Sequence, residues 1–219
     1  MTAHCGPIIF DFDGTLVDSE SVYAEALHHV LFEIGISVDA QSLRHRFAGI
    51  DNNSIFRQIS QAHDRPIPFD AEHQLAEAVE HLMRGLEPIK GAEALLVELT
   101  RRGNPLAIAS NSTAVVVAKM LRQVRLSGFF GARLVTCDQV EAPKPSPDVY
   151  ILAARILALP PEECLVVEDS PTGVAAARAA GMQVIGFSPP AGCPSELLTQ
   201  AGASCTISEL QDLLVLSGR

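Results

Sequence analysis

One buried-strand signature stands alone near the start of the chain, and the others all lie beyond Asn104. The run Pro7-Ile8-Ile9-Phe10 leads into Asp11-Phe12-Asp13 and stops at Gly14, as a strand covered on both faces does when it ends in a turn. Residues 19–86 read as helix throughout. Val22, Ala26, Val30 and Ile34 recur at helical spacing, Leu27 and Leu31 widen the stripe, and Gly35 offers a stop. Asp70 is placed to cap a helix running to about residue 86. After Pro88 short apolar runs at 105–109, 133–136, 164–167 and 183–187 alternate with helical patterns at 91–102, 113–123, 147–157 and 172–180. Gly103 and Gly181 close two of those helices.

That alternation predicts an α/β fold, a Rossmann-like parallel sheet with helices on both faces. Because the first strand precedes the helical stretch and the others follow it, the stretch is expected to be an inserted small all-helical cap. Residues 1–16 plus 87–219 are expected to form the core and 17–86 the cap, with hinges near 16–19 and 85–88. The length, 219 residues, suffices for this arrangement. With 47% hydrophobic and 19% charged residues the chain is not intrinsically disordered. A net charge of −10, no Trp and two Tyr argue against a nucleic-acid surface. No apolar run approaches the roughly 20 residues that span a bilayer, so no membrane partner is expected. Residues 1–7 lack the basic and apolar regions of a signal peptide. Cys5, Cys137, Cys164, Cys193 and Cys205 are scattered without a CxxC spacing, which argues against disulfides and thiolate zinc. A cytoplasmic monomer with reduced, buried or half-buried thiols is expected.

In parallel α/β sheets, sites lie at the carboxyl ends of the strands. The residues just after the apolar runs are therefore informative. Asp11 and Asp13 follow the first, Ser110-Asn111 the second, and Glu168-Asp169 the run at 165–167, while Lys144 lies on the loop after 133–136. Residues two apart on a strand share a side, so Asp11 and Asp13 are expected to point together. Four carboxylates around one ammonium need either a shared proton or a metal to compensate, and hard oxygen ligands without His or Cys favour Mg²⁺ as the metal. With the metal present, a carboxylate at such a rim can attack phosphorus. All seven histidines fall in the first 81 residues, which leaves no Ser/His/Asp set across the strand ends.

The stretch Asp11-Phe12-Asp13-Gly14-Thr15-Leu16-Val17-Asp18-Ser19 resembles the first motif of the haloacid dehalogenase superfamily of phosphohydrolases. Ser110-Asn111 resembles its second, Lys144 in Lys-Pro-Ser-Pro-Asp its third, and Glu168-Asp169-Ser170 its fourth. The resemblance implies that Asp11 is the nucleophile and that Asp13 acts first as acid, then as base. It implies Mg²⁺ held by the side chains of Asp11 and Asp169 and the backbone carbonyl of Asp13, with Glu168 orienting metal waters. Ser110, Lys144 and the backbone amide of Asn111 would hold phosphoryl oxygens. The helical insert is similar to the cap of sugar-phosphate phosphatases, including the 6-phosphogluconate phosphatase type, and of β-phosphoglucomutase-like proteins.

Such a cap is expected to read the leaving group. Where the mutase branch carries a His and an Arg for a second phosphate, this chain carries Tyr23 and Asn52, neither a cation. That favours hydrolysis of a small phosphorylated sugar, sugar acid or polyol over a mutase, with Tyr23, Asn52 and Asn53 as candidates to bond its hydroxyls. A dehalogenase is disfavoured, since Asp13 and the metal-site acids belong to the phosphate branch. A catalytically inactive phosphometabolite-binding protein would show a gap among the four motifs, and none is visible.

Overall fold

A computed structural model describes residues 6–47, 52–190 and 192–216, without the side chains of 45–47. In chain order the elements are β1 (Ile8–Phe10), α1 (Ser19–Glu33), α2 (Ala40–Phe47), α3 (Asn52–His63), α4 (Ala71–Leu82), α5 (Ala92–Arg101), β2 (Leu106–Ser110) and α6 (Ala114–Gln123). There follow α7 (Ser127–Phe130), β3 (Leu134–Thr136), α8 (Asp148–Ile156), β4 (Leu165–Glu168), α9 (Pro171–Ala179), β5 (Gln183–Phe187), α10 (Ser195–Ala201), β6 (Cys205–Ile207) and α11 (Leu213–Leu216). The chain divides into two compact units, Met1–Val17 with Glu87–Arg219, and Asp18–Leu86.

The first unit holds one sheet in the order β3-β2-β1-β4-β5-β6, every pairing parallel. This is the expected α/β architecture. Central β1 pairs Ile8 with both Leu106 and Leu165, and Phe10 with both Ile108 and Val167. Flanked on both edges and both faces, its three residues are fully buried, which is why the run has no polar member. Ile9, Ala107, Ala109, Val166 and Val184 form one core with Val149, Ala153, Val174 and Ala177 from α8 and α9. Strand order reverses at β1, so the carboxyl ends of β1, β2 and β4 converge where such sheets bind ligands.

The second unit is helical. Leu27, Val30, Leu31, Leu43, Ile55, Ile59 and Leu75 share its core. Asp18 starts α1 by accepting from the Ser21 backbone N–H at 3.4 Å, and Gly35 follows the helix with φ +77°. Arg44 from α2, its side chain 9% exposed, reaches back to Asp18 at 3.1 Å and to Ser21 Oγ at 2.6 Å. Asp70 makes no capping bond to the α4 backbone, and instead accepts from Gln74 Nε2 at 2.9 Å. That helix ends at Leu82 in a 3₁₀ turn over Met83–Gly85 rather than running to 86, the usual tightening of a last turn.

Four elements lie outside the sequence expectation: α7, β6, α10 and α11. The Cys205–Ile207 segment has mixed composition because it is an edge strand, and pairing with β5 makes it one. Similarly, residue 133 is not in β3; Arg133 Nε donates to the Leu106 carbonyl at 2.7 Å. No helix among the described residues is long and apolar enough to cross a membrane. Cys137, Cys164, Cys193 and Cys205 are free; Cys164 is buried and Cys137 and Cys193 are half-buried, as expected, whereas Cys205 is exposed. Cys5 lies outside the described residues.

Candidate active site

The strand β1 ends at Phe10, so Asp11 is the first residue off the sheet and Asp13 stands on a tight loop. The loop closes on itself through Gly14 N to Val17 O at 2.8 Å and Leu16 N to Phe12 O at 2.9 Å. Gly14 sits at φ +82°, and a Cβ there would collide with the Asp169 carboxylate. Only glycine meets both conditions. The alternation rule stops with the strand, and the two acids have different neighbours. Asp11 Oδ1 receives Lys144 Nζ at 2.5 Å, whereas Asp13 Oδ2 receives the hydroxyls of Ser110 at 3.0 Å and Ser112 at 2.8 Å.

Lys144 is the buried cation of the site. Its side chain is 4% exposed, and Nζ also donates to Glu168 Oε1 at 2.7 Å. Its backbone is held by Asn111, whose Oδ1 accepts from Lys144 N at 2.8 Å and whose Nδ2 donates to Lys144 O at 3.2 Å. The Asn111 carboxamide therefore ties the loop after β2 to the loop before α8. Glu168, at the end of β4, is fully buried. It takes Lys144 Nζ and Tyr150 Oη on Oε1, the latter at 2.9 Å, and Ser170 N and Oγ on Oε2, each at 2.9 Å. Asp169 Oδ1 accepts from Thr15 Oγ1 at 3.3 Å.

Asp11, Glu168 and Asp169 are all buried, and each offers a carboxylate oxygen within 4.8 Å of the others. One ammonium does not balance three carboxylates. Burial pushes the Asp11 carboxyl well up, more than Lys144 draws it down, and the Glu168 and Asp13 charges add to the rise. Burial opposes the Lys144 charge, but Asp11 and Glu168 outweigh it and hold the ammonium well above the ordinary lysine value. Burial, with the Glu168 charge, also raises the Tyr150 phenol. A surplus of buried, oxygen-only donors fits a hard divalent cation.

The structure thus brings together Asp11, Asp13, Ser110, Asn111, Lys144, Glu168 and Asp169 at the strand ends. Ser112 and Tyr150 join them without having been singled out in the sequence. Ser112 was legible as a second hydroxyl two residues beyond Ser110, and Tyr150 as a polar tip on the apolar face of α8. Tyr23, Asn52 and Asn53 belong to the helical unit. There Tyr23 Oη donates to Asn52 Oδ1 at 2.5 Å, and Asn53 is exposed.

A family match covers this whole arrangement. Residues 8–187, from β1 through β5, match the family described as Haloacid dehalogenase-like hydrolase. The chain belongs to the haloacid dehalogenase-like hydrolases. Within this family it is 33% identical over 202 residues to hexitol phosphatase A of Escherichia coli (strain K12), covering 87% of this chain and 86% of that one. It is 31% identical to the 6-phosphogluconate phosphatase of the same organism, over 82% of this chain and 81% of the relative. A crystal structure of a HAD family hydrolase from Deinococcus radiodurans R1, with bound phosphate and sodium, superposes with a TM-score of 0.91 at 32% identity. It covers 99% of this chain and 97% of the other.

Proposed function

We propose that this hydrolase is a Mg²⁺-dependent phosphatase that releases phosphate from a small phosphorylated sugar, sugar acid or polyol through an aspartyl-phosphate on Asp11. One observation carries the proposal. A buried carboxylate stands at the carboxyl end of the central strand, where strand order reverses, between a buried ammonium and two further buried carboxylates. The phosphatase relatives, and the phosphate bound by the Deinococcus protein, support that use of the rim.

In this reading an Asp11 carboxylate oxygen attacks phosphorus, and the bond from phosphorus to the ester oxygen breaks. Asp13 gives its proton to the departing alkoxide. It then takes a proton from the water that attacks the aspartyl-phosphate, releasing inorganic phosphate and restoring both acids. Lys144, the Ser110 hydroxyl and the Asn111 backbone N–H hold the phosphoryl oxygens as charge develops on them. The side chains of Asp11 and Asp169 and the Asp13 backbone carbonyl would hold Mg²⁺, which supplies positive charge to the phosphoryl oxygens when bound. Tyr23, Asn52 and Asn53 are proposed to discriminate among leaving groups.

Asp11→Asn is expected to abolish phosphate release, by a factor of about 10³ or more, while circular dichroism stays that of the native chain. Unchanged release would overturn the nucleophile. A panel of phosphorylated sugars, sugar acids and polyols with Mg²⁺ is expected to yield inorganic phosphate. Conversion of glucose 1-phosphate to the 6-phosphate with little phosphate released would instead establish a mutase.

A further inference from the structure

Tyr150 stands in α8, and its side chain is fully buried. Its hydroxyl donates to Glu168 Oε1 at 2.9 Å, the same oxygen that receives Lys144 Nζ at 2.7 Å. Nζ also lies 4.8 Å from the centroid of the Tyr150 ring. The other Glu168 oxygen is held by Ser170 N and Oγ. Four donors meet the four in-plane lone pairs of one buried carboxylate, so its rotation and its direction toward Lys144 are set. Gly173 closes the remaining side, since a Cβ there would collide with the Glu168 carboxylate.

We infer that Tyr150 is a positioning residue for Lys144. Its hydroxyl fixes Glu168 and its ring faces the ammonium, so that Nζ is held on Asp11 rather than free to follow Glu168. Without the hydroxyl, Glu168 Oε1 keeps a single donor and draws the ammonium toward itself and away from the phosphoryl position. This rests on the reading of Lys144 as the cation that faces the phosphoryl group.

Tyr150→Phe keeps the ring and its face toward Lys144 and removes only the hydroxyl. With Mg²⁺ present, kcat is expected to fall about tenfold and the inhibition constant of inorganic phosphate to rise about tenfold, the scale of one hydrogen bond to a charged group. KM of the substrate moves with the phosphate constant. Val149→Ala, beside it in the same helix and fully buried, serves as the purely structural control. It is expected to lower Tm and leave both kinetic quantities unchanged. In a Lys144→Gln background Tyr150→Phe is expected to add no further loss of phosphate affinity.

An equal loss in both backgrounds, unchanged kinetics, or a Tyr150→Phe chain that does not fold would each overturn the inference, because the phenol would then serve the fold alone. The two readings separate cleanly. If Lys144→Gln by itself leaves phosphate affinity intact, the assignment of Lys144 fails. If Lys144→Gln loses affinity and Tyr150→Phe does not, only the role of Tyr150 fails.

Discussion

Gly173 reverses the sign that helix propensity predicts. Alanine is better than glycine by about 0.5–1 kcal/mol in a helix interior, and Gly173 lies in the first turn of α9, bonded to its cap Ser170. Here the added Cβ would run into Glu168, whose carboxylate cannot retreat without abandoning its donors. Gly173→Ala is therefore expected to lower Tm by a few degrees, in line with an overpacking cost of about 1–3 kcal/mol, and to slow turnover by at least about tenfold. A raised Tm with unchanged turnover would show that Glu168 is free to move. Thiol chemistry separates residues in the same way. Burial pushes the Cys164 thiol up to about 11, whereas Cys205 is exposed. At pH 8 mass spectrometry after alkylation is expected to find Cys205 modified before Cys164, since the thiolate is the reacting species.

At the scale of elements, the site is a set of loops tied to one another. Asn111 is exposed, yet its carboxamide makes both bonds to the Lys144 backbone. Asn111→Ala is expected to lower kcat/KM about tenfold with a Tm change of only a few degrees, measured by phosphate release and thermal unfolding. A large Tm loss with unchanged kcat/KM would make the link structural. On α5, hydrogen bonds from Arg101 and Arg102 hold the Glu98 carboxyl down at about 2. The folded chain thus binds that proton more weakly than the unfolded chain does. The stabilisation is complete above the unfolded value near 4.5 and is lost as pH falls toward 2. Glu98→Gln is expected to flatten Tm against pH in that window alone. Elements with a continuous stripe or run, such as α1, β1 and β4, were legible because one face or both are buried. Strand β6 was not, because an edge strand keeps one side and one face in solvent.

For the whole molecule, the net charge of −10 matters less than its placement. Three buried carboxylates share one small volume at the strand ends, and a divalent cation bound there would offset them locally. Stripping the protein with EDTA is expected to abolish phosphate release, and added Mg²⁺ to restore it. Full activity after EDTA would count against a metal at this site.

Residue order alone determined the α/β class and the polar residues that end each strand, because burial on both faces leaves an unbroken apolar run and the turn after it must be polar. It also carried the family, through motifs that need particular atoms at particular steps along the chain. Only the tertiary structure decided which of those atoms meet. Lys144 reaches Asp11 across 133 residues, and Asp13 turns to two serines rather than sharing the neighbours of Asp11. Tyr150 and Ser112 entered the site for the same reason. Periodicity is a property of a local segment, whereas a hydrogen bond depends on where sheet order and helix packing set its two ends.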